Sequence, residues 1–185
     1  TVVDLLFGIT QVLDRKSLLQ LNYTIGTNNG YLTDPYKILS VVDNNTGLIV
    51  NQDPYLFENR PDSRLSQSLY AKYVHQFNED VIYLTYRYFW DDWDITAHTV
   101  DLRYRYELGG GHYLQPHARY SIQAKANFYN AYLLDTDVAT TQTASADYRL
   151  GDMTTTTLGL LYGLVFTEKS EFTIRAEVMQ QSGDE

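Results

Sequence analysis

The charged residues that could do chemistry recur at every second position. Asp101, Arg103, Arg105 and Glu107 alternate with apolar residues along one run, and Lys72, Arg87, Arg119, Arg175 and Glu177 sit in alternating runs of their own. In extended backbone, residues two apart share a face. Six cations gathered on one face would form a basic patch able to attract anions, partly neutralised by Asp101, Glu107 and Glu177. A plainer use of the same set is packing, with acids and cations pairing across strands to hold the shape.

Other chemistry is less well supported. There is no cysteine, so thiolate metal sites and cysteine nucleophiles are excluded. His112 and His117 stand five apart around a turn and could share a metal only if the chain folded back on itself, so no metal is expected. Asp91, Asp92, Trp93 and Asp94 form an acidic tip, but Ca²⁺ needs six to eight ligands in a set geometry, and a solvated hairpin tip is the simpler expectation. Ser66 and Ser68 fall on the charged face, whereas His75 and His98 fall on the opposite one. The strand wall would separate nucleophile from base, and no enzyme activity is expected. Gly109-Gly110-Gly111 joins two strands and opens no helix, so it is a turn and not a phosphate cradle. No cofactor is expected.

The elements that must position these residues are strands. From Ala97 to Leu108 all four charges fall on odd positions, a segregation that a helix would smear around its axis. The same period gives seven clear strands, about 17–27, 64–77, 81–90, 96–108, 113–124, 154–166 and 171–180, and a weaker eighth near 3–13. Short turns alternate with long loops at 28–63, 91–95 and 125–153. Antiparallel up-and-down hairpins with tight turns at one end and long loops at the other are the pattern of a transmembrane β-barrel.

The two faces differ sharply. One carries Leu19, Leu21, Tyr23, Ile25, Leu69, Leu84, Tyr86, Val100, Leu102, Leu158, Leu160 and Ile174 with no charge in the strands. The other carries seven cations, Arg64 included, and three acids, a net of +4; with −9 for the whole chain, the turns, loops and termini carry −13. An acidic chain with this distribution argues against nucleic acid as a partner. A soluble sandwich would produce the same alternation. The length of the alternation favours lipid against the apolar face. So do the density of charge on the polar face and aromatics near strand ends (Trp90, Trp93, Phe128, Tyr129, Phe166, Phe172), which suit an interfacial girdle. No run approaches the ~20 apolar residues of a transmembrane helix. The opening Thr1-Val2-Val3-Asp4 has none of the features of a leader, so a processed precursor or an internal piece is expected.

Residues 28–63 make a 36-residue connection, too long for a passive link. It is expected to plug the barrel or cap it from outside, anchored by Tyr31, Tyr36, Tyr55 and Phe57. It contains Asp34-Pro35, Asp53-Pro54 and Arg60-Pro61, and its base is expected to be pinned by a cluster of Arg60, Asp62 and Arg64.

Seven stretches carry a family resemblance. They are Gly30-Tyr-Leu-Thr-Asp-Pro-Tyr-Lys37, Glu58-Asn-Arg-Pro-Asp-Ser-Arg64, Tyr86-Arg-Tyr-Phe-Trp-Asp-Asp-Trp-Asp94, Ala97-His-Thr99, Asp101-Leu-Arg-Tyr-Arg105, Tyr113-Leu-Gln-Pro-His-Ala-Arg-Tyr120 and Asp147-Tyr-Arg-Leu-Gly-Asp152. In this order and spacing, over about residues 17 to 165, the chain resembles a family of Gram-negative outer-membrane barrels known as domain of unknown function 3570. The resemblance implies a bacterial outer-membrane location, lipid contact and a longer chain. The eight strands would then be an arc of a larger barrel. The end, Gln180-Gln-Ser-Gly-Asp-Glu185, lacks the terminal aromatic strand of such barrels. The resemblance also implies association with periplasmic flavin-attachment and redox proteins. The expectation is one outer-membrane barrel domain, residues 1–185, acting as a channel for small polar or anionic solutes through a basic lumen. The alternative is a structural barrel that sheathes or docks a redox protein or lipoprotein.

Overall fold

The structure is a computed structural model describing residues 1–50 and 55–183. Asp53-Pro54 therefore lies outside the described residues. Eight long strands form one antiparallel sheet: β1 (Val2–Val12), β2 (Ser17–Asn29), β4 (Ser63–Phe77), β5 (Asp80–Asp91), β6 (Thr96–Gly109), β7 (His112–Gln123), β9 (Met153–Thr167) and β10 (Ser170–Gly183). Each pairs with the next along the chain, in the order β1-β2-β4-β5-β6-β7-β9-β10. All eight expected strands form within about three residues of their expected bounds, including the weaker first one. The sheet is an open arc. β1 and β10 are its edges, and both are exposed along their described lengths.

Register carries the local alternation into a continuous surface. Tyr73 pairs with Leu84, Leu84 with Leu102, Leu102 with Ala118, Ala118 with Leu158 and Leu158 with Val178, a row of apolar residues across six strands. One slip of a single residue would put half of these on the other face. Asp80, at the turn end of β5, is the one charged strand residue on this face, and its carboxylate is occupied by the Tyr104 hydroxyl and the Glu107 backbone N–H. Tyr23, Tyr88 and Trp90 lie toward the loop end; Tyr104, Tyr106, Tyr162 and Phe172 lie toward the turn end. Nothing among the described residues covers the face: Leu84, Leu102 and Leu158 are 42%, 40% and 62% exposed. A second layer of the kind a soluble sandwich needs is absent among the described residues.

The tight turns use special backbone. Gly109, Gly110 and Gly111 all take positive φ, from 62° to 84°, where a side chain would be strained. At the β1–β2 turn the Asp14 carboxylate accepts from the Lys16 N–H and the Ser17 hydroxyl, and the Lys16 N–H holds that carboxyl below its usual range.

The buried apolar core lies mostly outside the sheet. The long loops fold together into a cap, joined by a parallel pair of two-residue strands, β3 (Val41–Val42) and β8 (Leu133–Leu134). Leu39, Val41, Leu133 and Ala144 form one buried cluster; Trp93, Ile95, Ala126, Phe128 and Leu150 form another. The expected anchors are not the real ones. Tyr31, Tyr36, Tyr55 and Phe57 are exposed, Tyr36 at 88%. Trp93 and Phe128 are not girdle residues either: their rings meet edge to face at 5.0 Å inside the cap. An aromatic near a strand end serves a loop core as readily as an interface.

Candidate functional site: a basic concave face

The polar face is the concave one. A cavity of about 450 Å³ is lined from β4, β5, β6, β7 and β10, including Lys72, Arg87, Arg103, Arg119, Arg175 and Asp101. Five of the six expected patch cations therefore meet in one space with a single acid. The sixth, Arg105, is on the same face but further toward the turns, where its guanidinium covers the Tyr113 ring at 3.6 Å. Tyr113 in turn lies over Gly163, where a Cβ would stand 2.2 Å from the ring, and its hydroxyl donates to Glu171 at 2.5 Å. Glycine is required at 163 because the ring occupies the side-chain position.

The charge is less lopsided than the sequence suggests. Asp4, Asp91 and Glu171 also reach this face by register, so seven cations oppose six acids. The acids are unevenly placed: Asp4 and Asp91 lie at the loop end, where Asp91 pairs with Arg64, and the other four lie from mid-sheet to the turns. Toward the turns, Arg105 pairs with Glu107 at 2.5 Å and Arg103 with Asp101 at 3.3 Å. Arg175 lies 3.9 Å from Glu177. His117 bridges the two acids, Nε2 at 2.6 Å from Asp101 and Nδ1 at 2.8 Å from Glu177. The three arginine pairs each join residues two apart on one strand, not across strands as the packing alternative expects; only His117, on β7, ties separate strands, to Asp101 on β6 and Glu177 on β10. At mid-sheet, among the described residues, Lys72, Arg87 and Arg119 make no ion pair; their neighbours by register are hydroxyls, the Gln20 amide and, beside Arg119, Asp101, whose carboxylate is turned to Arg103 and His117.

A second cavity of about 500 Å³ lies between this face and the cap, lined by Arg60, Arg64, Arg87, Arg149, Phe89 and Gln123 among others. Arg87 borders both cavities. The loop cluster of Arg60, Asp62 and Arg64 does not form as one unit. Arg64 donates to Asp91 at 2.7 Å through Nε and stacks on Trp93 at 4.6 Å. Arg60 turns into the cap, where it meets Glu58 at 2.8 Å and Asp147 at 2.9 Å. Asp62 contributes its backbone carbonyl to Gly30 and makes no ion pair among the described residues. Alternate residues share a face only in regular extended backbone, and here the strand begins at Ser63, so Arg60 and Asp62 lie in the loop before it.

The unforeseen centre of the cap is Asp147. It is 1% exposed and contacts Lys37 at 3.2 Å, Arg60 at 2.9 Å and Arg149 at 2.5 Å. Burial pushes its carboxyl up, but hydrogen bonds from Arg149, Lys37 and Arg60 outweigh that and hold it well below the usual carboxylate range. The Ser145 hydroxyl donates to Glu58 and accepts from the Asp147 N–H, closing the network. The sequence signal was present in the Glu58–Arg64 and Asp147–Asp152 stretches, both part of the family resemblance. Nothing local indicated that they meet.

The remaining candidates are placed differently from one another. Asp91 is buried, and its Oδ1 accepts from the Trp93 and Ile95 N–H groups; it is a structural turn residue rather than part of a solvated tip. Asp92 accepts from Leu65 N–H, and Asp94 from the Asn127 amide. His112 bonds Tyr162 on the apolar face, opposite His117, so the two cannot share an ion. His75 meets Ser17 at 2.8 Å, and Ser17 also donates to Asp14 at 2.9 Å. The serine stands in the middle of this chain, whereas nucleophile activation needs the histidine there.

A family model described as Protein of unknown function (DUF3570) matches residues 1–185, and the chain belongs to that family. No curated protein and no solved structure matched the chain.

Proposed function

We propose that the sheet is part of the wall of an outer-membrane β-barrel whose basic interior passes small polar or anionic solutes. The observation that carries this reading is the pairing of an uncharged, uncovered convex face with a concave face that gathers five cations around one cavity. Leu84, Leu102, Leu158 and Val178, left 40–74% exposed in one cross-strand row, are costly in water and favourable against hydrocarbon. The open edges at β1 and β10 support a closed wall made with further strands, since exposed edges are otherwise hazards for association. Arg60, Arg149 and Leu150 of the cap line a cavity at the loop end of the concave face, which supports a constriction at one mouth of the proposed channel. By the usual arrangement of such barrels the loops face outward and the turns face the periplasm.

The test is conductance. The full-length protein in a planar bilayer is expected to conduct with anion preference. Raising salt is expected to erode that preference, because screening acts over ~10 Å at 0.1 M ionic strength. Arg87→Glu/Arg119→Glu is expected to reverse it. An absence of conductance in any salt, with a partner protein bound in the interior at one-to-one ratio, would replace the channel with a sheath for that partner.

A further inference from the structure

We infer that the middle of the concave face is a binding site for a small oxyanion carrying two or more negative charges, held by Lys72, Arg87 and Arg119. This deepens the channel reading and rests on it for solute access. The site is defined by what surrounds those three cations. By register, Lys72 faces Thr85, Arg87 lies between Tyr70 and Thr99, and Arg119 lies between Asp101 and Thr157. Lys72 and Arg119 belong to one cross-strand row, and Arg87 belongs to the next row toward the loops. Strand spacing of ~4.8 Å then sets their backbones within about 15 Å of one another across β4 to β7.

The single acid of this cavity is already engaged. Asp101 directs Oδ2 to His117 at 2.6 Å and Oδ1 to Arg103 at 3.3 Å, both on its turn side. No described acid approaches Lys72, Arg87 or Arg119 to within 4 Å. Three like charges converging on one cavity repel unless an anion joins them. The hydroxyls of Tyr70, Thr85 and Thr99 line the same space and can donate to oxygens that the cations leave free. A volume of about 450 Å³ exceeds what one halide needs and suits a multi-oxygen group with some of its water. Guanidinium groups match such oxygens two at a time. A diphosphate therefore fits the site better than chloride.

Inorganic pyrophosphate titrated into the detergent-folded full-length protein tests this by calorimetry. Saturable binding is expected, weaker at high sodium chloride. Arg87→Gln and Arg119→Gln are each expected to weaken it about tenfold or more, the worth of one charged hydrogen bond. Arg87→Lys and Arg119→Lys keep the charge but not the two-point contact and are expected to weaken binding less than the glutamine variants, which separates loss of the site from loss of the fold. Lys16→Gln and Lys169→Gln, in the short turns, are expected to leave binding unchanged. The absence of saturable binding, or equal weakening by the turn variants, would overturn the site. Chloride conductance in a planar bilayer judges the channel separately. Conductance without pyrophosphate binding would sink the site alone; pyrophosphate binding without conductance would sink the channel alone.

Discussion

Leu102→Arg asks directly which solvent the apolar face meets. Leu102 is the seventh of fourteen residues in β6 and pairs with Leu84 on one side and Ala118 on the other. At about 3.3 Å per residue and a tilt near 40°, a strand of this length rises roughly 35 Å, more than an apolar band of about 25 Å. Leu102 therefore falls within a few ångströms of the band's midplane. An arginine there costs roughly 2–4 kcal/mol in a bilayer. In water the prediction is different. Leu102 is already 40% exposed, and arginine on an uncovered strand surface stays within about 0.5 kcal/mol. The two solvents thus differ by at least about 1.5 kcal/mol at one position, well above the error of a denaturant titration. The assay is urea-driven unfolding from lipid vesicles, followed by heat-modifiable migration on a gel, with Arg103→Leu on the concave face as the comparison. Arg103→Leu is expected to cost less. A cost below about 0.5 kcal/mol for Leu102→Arg, in a protein that stays folded and monomeric without detergent, would refute the lipid-facing assignment.

The cap should depend on Asp147. Asp147→Ala leaves Arg60 buried with Glu58 as its remaining partner, and the expected loss is about 3 kcal/mol of cap stability, read as faster hydrogen exchange at the Ala126 and Ser145 amides. Because the folded-state carboxyl is held below its ordinary value, its stabilisation is complete above about pH 4 and fades only as pH falls further; cap exchange that accelerates between pH 7 and 5 would contradict this. Gly163→Val must displace the Tyr113 ring and is expected to cost about 1–3 kcal/mol in a urea titration, whereas the same change in Tyr113→Ala should cost much less. A cysteine at Asn45, in the cap, should react with an impermeant reagent on intact cells while one at Gly110, in a short turn, should not; the opposite labelling would invert the proposed orientation.

Period-two patterning determined the strands, their faces and even the phase of each face, because side-chain direction in extended backbone is a local property of the pleat. The phases of Leu19–Ile25, Ile82–Tyr88 and Leu158–Leu164 agree with the register from β2 to β10. The gathering of Lys72, Arg87, Arg103, Arg119 and Arg175 in one cavity followed from the same rule together with the inward curl of the sheet. Which of those cations are neutralised was decided only by the tertiary structure. Asp101 could have paired with Arg119, its direct register partner, but its carboxylate goes to His117 and Arg103 instead. The cap lay beyond local reading for a related reason. Glu58 and Ser145 are 87 residues apart, and Val41 and Leu133 meet across a similar gap. Loop residues have no repeating face to betray their partners, so Trp93 and Phe128 read as interface aromatics until folding buried them against each other. A short-range pattern specifies orientation, whereas the partner of a loop side chain depends on where two distant segments are brought together by the sheet between them.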